Sequence, residues 1–284
     1  MKGVAAPRRL FDVFYFNTEM EMLDIRLMTL WNVVDYFVIM EAGFTYTGKD
    51  KPFIFGEMKD NRYSAFKSKI IHIPVANMDT PVDDGLPDIP ASGASNDWKR
   101  ENAVRDYLLR QGLKAASPAD GDIVVVSDLD EIPRPDYLQT LKTCHGWETV
   151  SKRKDRICMK SDMFYYNFEW MQPHTAWWHP DVYVWKGDGT IRGTSRWEGH
   201  QSTEDIACID HAAWHCSYCF PTMDYLIDKL GSFSHQEMNT ERNRSPRWIL
   251  GSMLSGHNVW DEDGHPSNQK VRELLGQSSD IHLY

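Results

Sequence analysis

The chain has 284 residues, 42% apolar and 12% aromatic, enough to bury a substantial core as one large domain or two closely fused halves. Its 41 acidic residues against 31 Lys and Arg leave a formal charge of −10, and without a basic tract it lacks the electrostatic footprint of a nucleic-acid binder. The longest apolar stretches, near Trp31–Met40 and Ile123–Val126, are far shorter than the roughly 18 residues a membrane-spanning helix requires, so no transmembrane segment is expected. Met1–Arg9 is basic but has no apolar centre or small-residue cleavage pattern, which predicts a cytosolic protein or one whose anchor has been removed.

In chain order, Phe11–Phe16 (FDVFYF) and Tyr36–Met40 (YFVIM) read as strands, with a helix over Leu23–Asn32 in which Leu23, Leu27 and Leu30 recur at helical spacing. Lys69–Ile73 (KIIHI) and Ile123–Ser127 (IVVVS) are further strands flanking a helix over Asp97–Gln111, for which Gly112 is the expected stop. Strands without alternation, interleaved with helices, predict an α/β fold with a mostly parallel sheet covered on both faces. Ligands of such sheets bind at the carboxyl ends of the strands. Asn77–Asn96, rich in Asp, Pro, Gly and Ser, reads as a long surface loop, with ordering expected when ligand binds. Beyond Pro135 the character changes: Phe164–Trp197 holds five tryptophans and suggests an acceptor site. A boundary near residue 136 then separates two lobes of one domain, over 9–136 and 137–284.

The chemistry centres on Asp128-Leu129-Asp130-Glu131, which follows four β-branched residues at the end of a buried strand. Carboxylates at i and i+2 on an irregular turn can present oxygens to one Mn²⁺ or Mg²⁺, cations that accept carboxylate and phosphate oxygens together. A metal on a diphosphate stabilises the charge that develops as a glycosidic bond breaks. Haloacid-dehalogenase-type phosphatases also place D-x-D after an apolar strand, but near their first strand and without Ile132-Pro133. A non-catalytic carbohydrate-binding protein is the other alternative, suggested by the abundance of Trp and Tyr. His215 can reach the same metal if the chain returns, although a lone His among aromatics is ordinarily a core residue. Arg100 and Arg105 lie ~140° apart on their helix, so one of them can face a phosphate and both can pair with neighbouring acids. The base for an acceptor hydroxyl is an Asp or Glu, with Glu237, Glu198 and Glu169 as candidates. Five cysteines leave an odd thiol, and the Cys216/Cys219 C-x-x-C reads either as a zinc or redox pair or, more plainly, as a disulfide or packed thiols.

Several stretches together resemble glycosyltransferase family 17, the bisecting N-acetylglucosaminyltransferase family, over most of the chain. They include Asn17-Thr18-Glu19, Leu23-Asp24-Ile25-Arg26, Val33-Val34-Asp35 through Glu41, Phe44-Thr45, Trp98 with Arg105, and Trp170-Met171-Gln172-Pro173. The most specific are Ser127-Asp128-Leu129-Asp130-Glu131-Ile132-Pro133 and Trp214-His215-Cys216-Ser217-Tyr218-Cys219-Phe220. The resemblance implies a GT-A-like (Rossmann-like) fold with Asp128, Asp130 and His215 as metal ligands. It makes Glu41 a nucleotide or structural position and raises Glu237 as base; Arg100, Arg105 and Asp128 are the residues expected at the nucleotide-sugar, and Trp170 and Trp214 those expected at the acceptor. The implied donor is UDP-N-acetylglucosamine with Mn²⁺ (or Mg²⁺). The implied acceptor is the β-linked mannose of an N-glycan core, joined by a β-1,4 bond with inversion, in the Golgi lumen if an anchor is missing from this chain.

Overall fold

The computed structural model describes residues 2–3, 8–76, 96–152, 155–173, 177–187, 190–191, 205–260 and 268–273. The loop expected over 77–96 lies almost wholly outside them, and so does Glu198. A two-residue strand β1 (Lys2–Gly3) precedes the sheet proper. β2 (Leu10–Phe16) follows, and its side chains divide by the period of two: Leu10, Phe14 and Phe16 enter one apolar cluster, Phe11 and Val13 the other. On the first face α1 (Met20–Leu30) sets Leu23, Leu27 and Leu30, all fully buried, against the sheet. β3 (Tyr36–Ala42) is the next strand, then a short helix α2 (Ile54–Met58) and β4 (Ile70–Val75).

The second face is covered by α3 (Asn96–Tyr107), which does not stop at Gly112. It runs through a π-helical turn over Leu108–Gly112 into α4 (Leu113–Ala116), and Ser117 ends it in the left-handed conformation at φ 50°. Gly112 has helical dihedrals; a Cβ there would lie 2.9 Å from Cγ1 of Val38, so the glycine serves the close approach of helix to β3. β5 (Ile123–Val126) pairs parallel to β2, giving the parallel order β4-β3-β2-β5.

After β5 the pairing changes direction. β6 (Glu131–Pro133) and α5 (Pro135–Thr143), with proline in its first turn, lead to β7 (Cys144–His145), which pairs with β1. β8 (Arg156–Tyr165), β9 (Asn167–Met171) and β10 (Asp181–Val184) pair antiparallel in the order β9-β8-β10, with β10 seated between β5 and β8. β11 (Cys208–Ser217) runs parallel to β8 and antiparallel to β6. α6 (Met223–Ser232) and α7 (Pro246–Ser255) cover a third apolar cluster, and β12 (Gln269–Lys270) completes a sheet of ten strands among the described residues. The chain therefore adopts the expected α/β, GT-A-like class, with four parallel strands in its first half and a second half that pairs mostly antiparallel, β11 against β8 being the parallel pair there. Cys158–Cys208 and Cys216–Cys219 are disulfides and Cys144 is the odd thiol, so the C-x-x-C is a closed bridge and holds no zinc. No helix among the described residues is long and apolar enough to cross a membrane.

Candidate active site

The shape of the acidic turn is set from below by one arginine. Arg26 is fully buried on α1, where its guanidinium grips Asp12 of β2 through two bonds of 2.6 and 2.8 Å. It then donates to the carbonyls of Asp128, Leu129 and Glu131 at 3.0, 3.1 and 2.8 Å, and to the Ser127 hydroxyl. A turn whose carbonyls would otherwise be stranded in the core is thus satisfied by a rigid five-donor fork. Glu131 closes it from the other side, accepting from the Asp128 amide at 2.8 Å and from Trp177 Nε1 at 2.6 Å. Leu129 is left facing the core, and Asp128 and Asp130 both line a cavity of about 380 Å³ at the carboxyl end of β5.

Each carboxylate already has a cation. Asp128 receives both terminal nitrogens of Arg105, at 2.6 and 3.2 Å, and Glu101 one helical turn earlier steadies that guanidinium at 2.7 Å. Asp130, 8% exposed, has Lys229 Nζ 3.1 Å from Oδ2 and His215 Nε2 3.6 Å from Oδ1. Burial works to raise the Asp130 carboxyl, but Lys229 and His215 outweigh it and hold the group well below the usual carboxylate range. Burial likewise opposes the charge of Lys229, and Asp130 and Glu19 overcome it and hold the ammonium well above its ordinary value.

Asp130 and His215 suit a divalent cation. Two ligands each about 2.1 Å from one ion stand roughly 3 to 4 Å apart, and theirs are 3.6 Å apart. Nδ1 of His215 is buried with no hydrogen-bond partner among the described residues; a cation held through Nε2 would require the ring proton to sit on Nδ1. No three His, Cys, Asp or Glu side chains form a ready cage among the described residues. A hard cation bound by one or two carboxylates ordinarily completes its shell with water and substrate phosphate, which is what two donors and a nearby Asp128 leave room for.

Of the residues singled out from sequence, Asp128, Asp130, His215 and Arg105 line this one cavity. The others stand elsewhere. Arg100 pairs with Asp97 and donates to the Tyr46 carbonyl. Glu41 is fully buried and caps α2, accepting from the Phe55 and Gly56 amides at 2.8 and 3.0 Å. Trp214 lies under the Arg134 guanidinium at 4.4 Å, and Trp170 under Lys270 at 5.1 Å. Glu237 is exposed and bonds His235 Nδ1 at 2.6 Å; His235 is the member of that pair that lines the cavity. Glu169 is exposed on β9. Tryptophans do line the cavity, but they are Trp98, Trp177 and Trp260.

Arg26 and Lys229 carry a signal that sequence reasoning passed over. Arg26 follows Leu23 by three positions, and Lys229 follows Leu226 by three, so each is a basic residue on the apolar face of its helix.

A family model described as Glycosyltransferase family 17 matches residues 2–282. The human beta-1,4-mannosyl-glycoprotein 4-beta-N-acetylglucosaminyltransferase is 26% identical over 276 residues, covering 88% of this chain and 48% of that one. The Rattus norvegicus protein of the same name is 27% identical over 264 residues, covering 85% and 44%. The chain thus spans about half the length of the curated relatives it matches. Among solved structures, an inositol-1-phosphate CTP transferase from T. maritima superposes at TM-score 0.39 with 8% identity over 76% of this chain and 91% of that one, too distant to support an inference. With the match running over nearly its whole length, the chain belongs to glycosyltransferase family 17.

Proposed function

We propose that this chain is a metal-dependent, inverting glycosyltransferase that moves N-acetylglucosamine from UDP-N-acetylglucosamine to the β-linked mannose of an N-glycan core, or to a related glycan, forming a β-1,4 bond. The observation that carries the reading is the placement of Asp128, Asp130, His215 and Arg105 around one cavity at the carboxyl end of the parallel strands. Family membership and the activity for which the relatives are named support the choice of sugar and acceptor.

In this reading Asp130 and His215, with Asp128 beside them, hold Mn²⁺ (or Mg²⁺), which when bound neutralises the donor diphosphate and so favours its departure. Arg105 stays on the same side as a fixed positive charge that costs no reorganisation during the reaction. Trp98, Trp177 and Trp260 give the cavity flat apolar walls suited to sugar faces and help to exclude water. Glu237 takes part in deprotonating the acceptor through His235, orienting the imidazole at 2.6 Å while the ring faces the cavity. The two disulfides support an oxidising compartment, in keeping with the Golgi lumen.

A release assay across UDP-sugars, followed by linkage analysis of the product on an N-glycan acceptor, tests the assignment. Turnover of UDP-N-acetylglucosamine with a new β-1,4 linkage is expected. Turnover of a different UDP-sugar with none of this one would overturn the donor.

A further inference from the structure

Lys229 sits on the buried side of α6 with its side chain 17% exposed, and two carboxylates share it. Its Nζ is 3.1 Å from Asp130 Oδ2 and 3.4 Å from Glu19 Oε1. The Tyr218 and Phe220 rings lie 5.6 and 5.5 Å from it. A lysine this far from water needs a partner, and one between two acids can lose either without being left unpaired. The two oxygens of Asp130 therefore look in different directions. Oδ1 faces the imidazole with which it can hold a divalent ion, and Oδ2 faces a cation the chain already owns. An ion bound at Oδ1 places two more positive charges within a few ångströms of Nζ, in a partly buried setting where like charges repel strongly.

We propose that Lys229 is a resident counter-ion that competes with the divalent metal for Asp130. It neutralises the acidic turn while the donor is absent and opposes binding of the metal by itself. When metal and nucleotide arrive together, the ammonium turns from Asp130 to a diphosphate oxygen, with Glu19 keeping it at the cavity wall. A lysine suits this exchange because its compact charge rides on a flexible stem with three rotatable donors. The metal is then taken up as its nucleoside diphosphate complex. This inference rests on the metal-dependent reading of the site.

The test compares Mn²⁺ binding alone, followed by electron paramagnetic resonance of the free ion, with UDP binding at saturating Mn²⁺, followed by calorimetry. Removing a unit charge a few ångströms away in Lys229→Met tightens binding of Mn²⁺ alone about tenfold or more, and weakens UDP binding in its presence about tenfold. Lys229→Arg keeps both close to wild type. Glu19→Gln, which leaves the ammonium to Asp130 alone, weakens binding of Mn²⁺ alone. A lysine that merely supports the fold would instead lower both affinities in Lys229→Met. Lys229→Gln carries the same expectation should the methionine variant not fold. Wild-type protein that binds UDP with Mn²⁺, together with variants whose affinity for Mn²⁺ alone does not rise, overturns the role of Lys229 and leaves the proposed function standing. Wild-type protein that shows no Mn²⁺-dependent UDP binding overturns both.

Discussion

The two sides of the sheet bring charge to the same cavity in different states of completion. On the parallel side the polar groups are locked together before any ligand arrives: Arg26 on Asp12 and on three carbonyls of the acidic turn, Arg105 on Asp128 and Glu101. From the second half of the chain β11 and α6 deliver groups with bonding capacity in hand. His215 has a bare Nδ1, Lys229 is divided between two acids, and His235 faces the cavity from an exposed turn. Parallel strands buried on both faces require every strand-end charge to be paired, whereas a strand that joins the sheet from the second lobe can leave its polar side chains toward the opening. The first half thus behaves as a fixed frame and the second as its adjustable complement.

The sharpest way to break that frame is Arg26→Met. It leaves Asp12 a buried, unpaired carboxylate and removes the donor shared by three turn carbonyls. Breaking a buried pair in this way costs about 3 to 5 kcal/mol, and a thermal melt is expected to show a fall of roughly 10 °C. A melting temperature within ~2 °C of wild type would show that the turn holds its shape without this support.

On the adjustable side, His235→Asn is expected to lower kcat about a hundredfold while leaving UDP binding intact, the usual scale for losing a positioned base. Glu237→Gln, which keeps the imidazole and removes only its orienting carboxylate, should cost about tenfold. A larger loss for Glu237→Gln than for His235→Asn would give the proton to the carboxylate itself.

The smallest effect sharpens the account of how α3 and its continuation approach the sheet. Gly112→Ala gains about 1 kcal/mol of helix propensity but forces a methyl against Val38, at a cost of about 1 to 3 kcal/mol. A net loss of roughly 1 kcal/mol in urea unfolding is expected, and Val38→Ala should relieve it in the double variant. Gly112→Ala more stable than wild type would mean that the helix can back away from β3.

Much of the parallel half was legible because β2, β3 and β5 are runs of β-branched and aromatic residues too apolar for any surface. Asp128 and Asp130 could be placed for the same reason, since a carboxylate directly after such a run has to emerge at the strand end. The second half resisted for a reason of register. β11 slips between Ile209 and Ala213, where His211 takes φ 53°, so counting along the strand does not reveal that His215 turns to the cavity and Trp214 to Arg134. Tryptophans that look alike in sequence are sorted by such offsets: Trp98, Trp177 and Trp260 line the cavity, and Trp170 and Trp214 do not. Glu41 carried a strand-end signal like that of Asp128, but its oxygens are taken by the first amides of α2, a partnership set by a loop rather than by periodicity. Gly112 reads as a helix stop only until Val38 is seen 2.9 Å from where its Cβ would be.

Calorimetric titration of UDP with and without Mn²⁺, on wild-type protein and Asp130→Ala, tests the central claim most directly. Wild-type protein should bind UDP markedly more tightly when Mn²⁺ is present, and Asp130→Ala should bind it equally with and without the metal. Metal-dependent UDP binding that survives intact in Asp130→Ala would contradict the assignment of the acidic turn as the donor-diphosphate site.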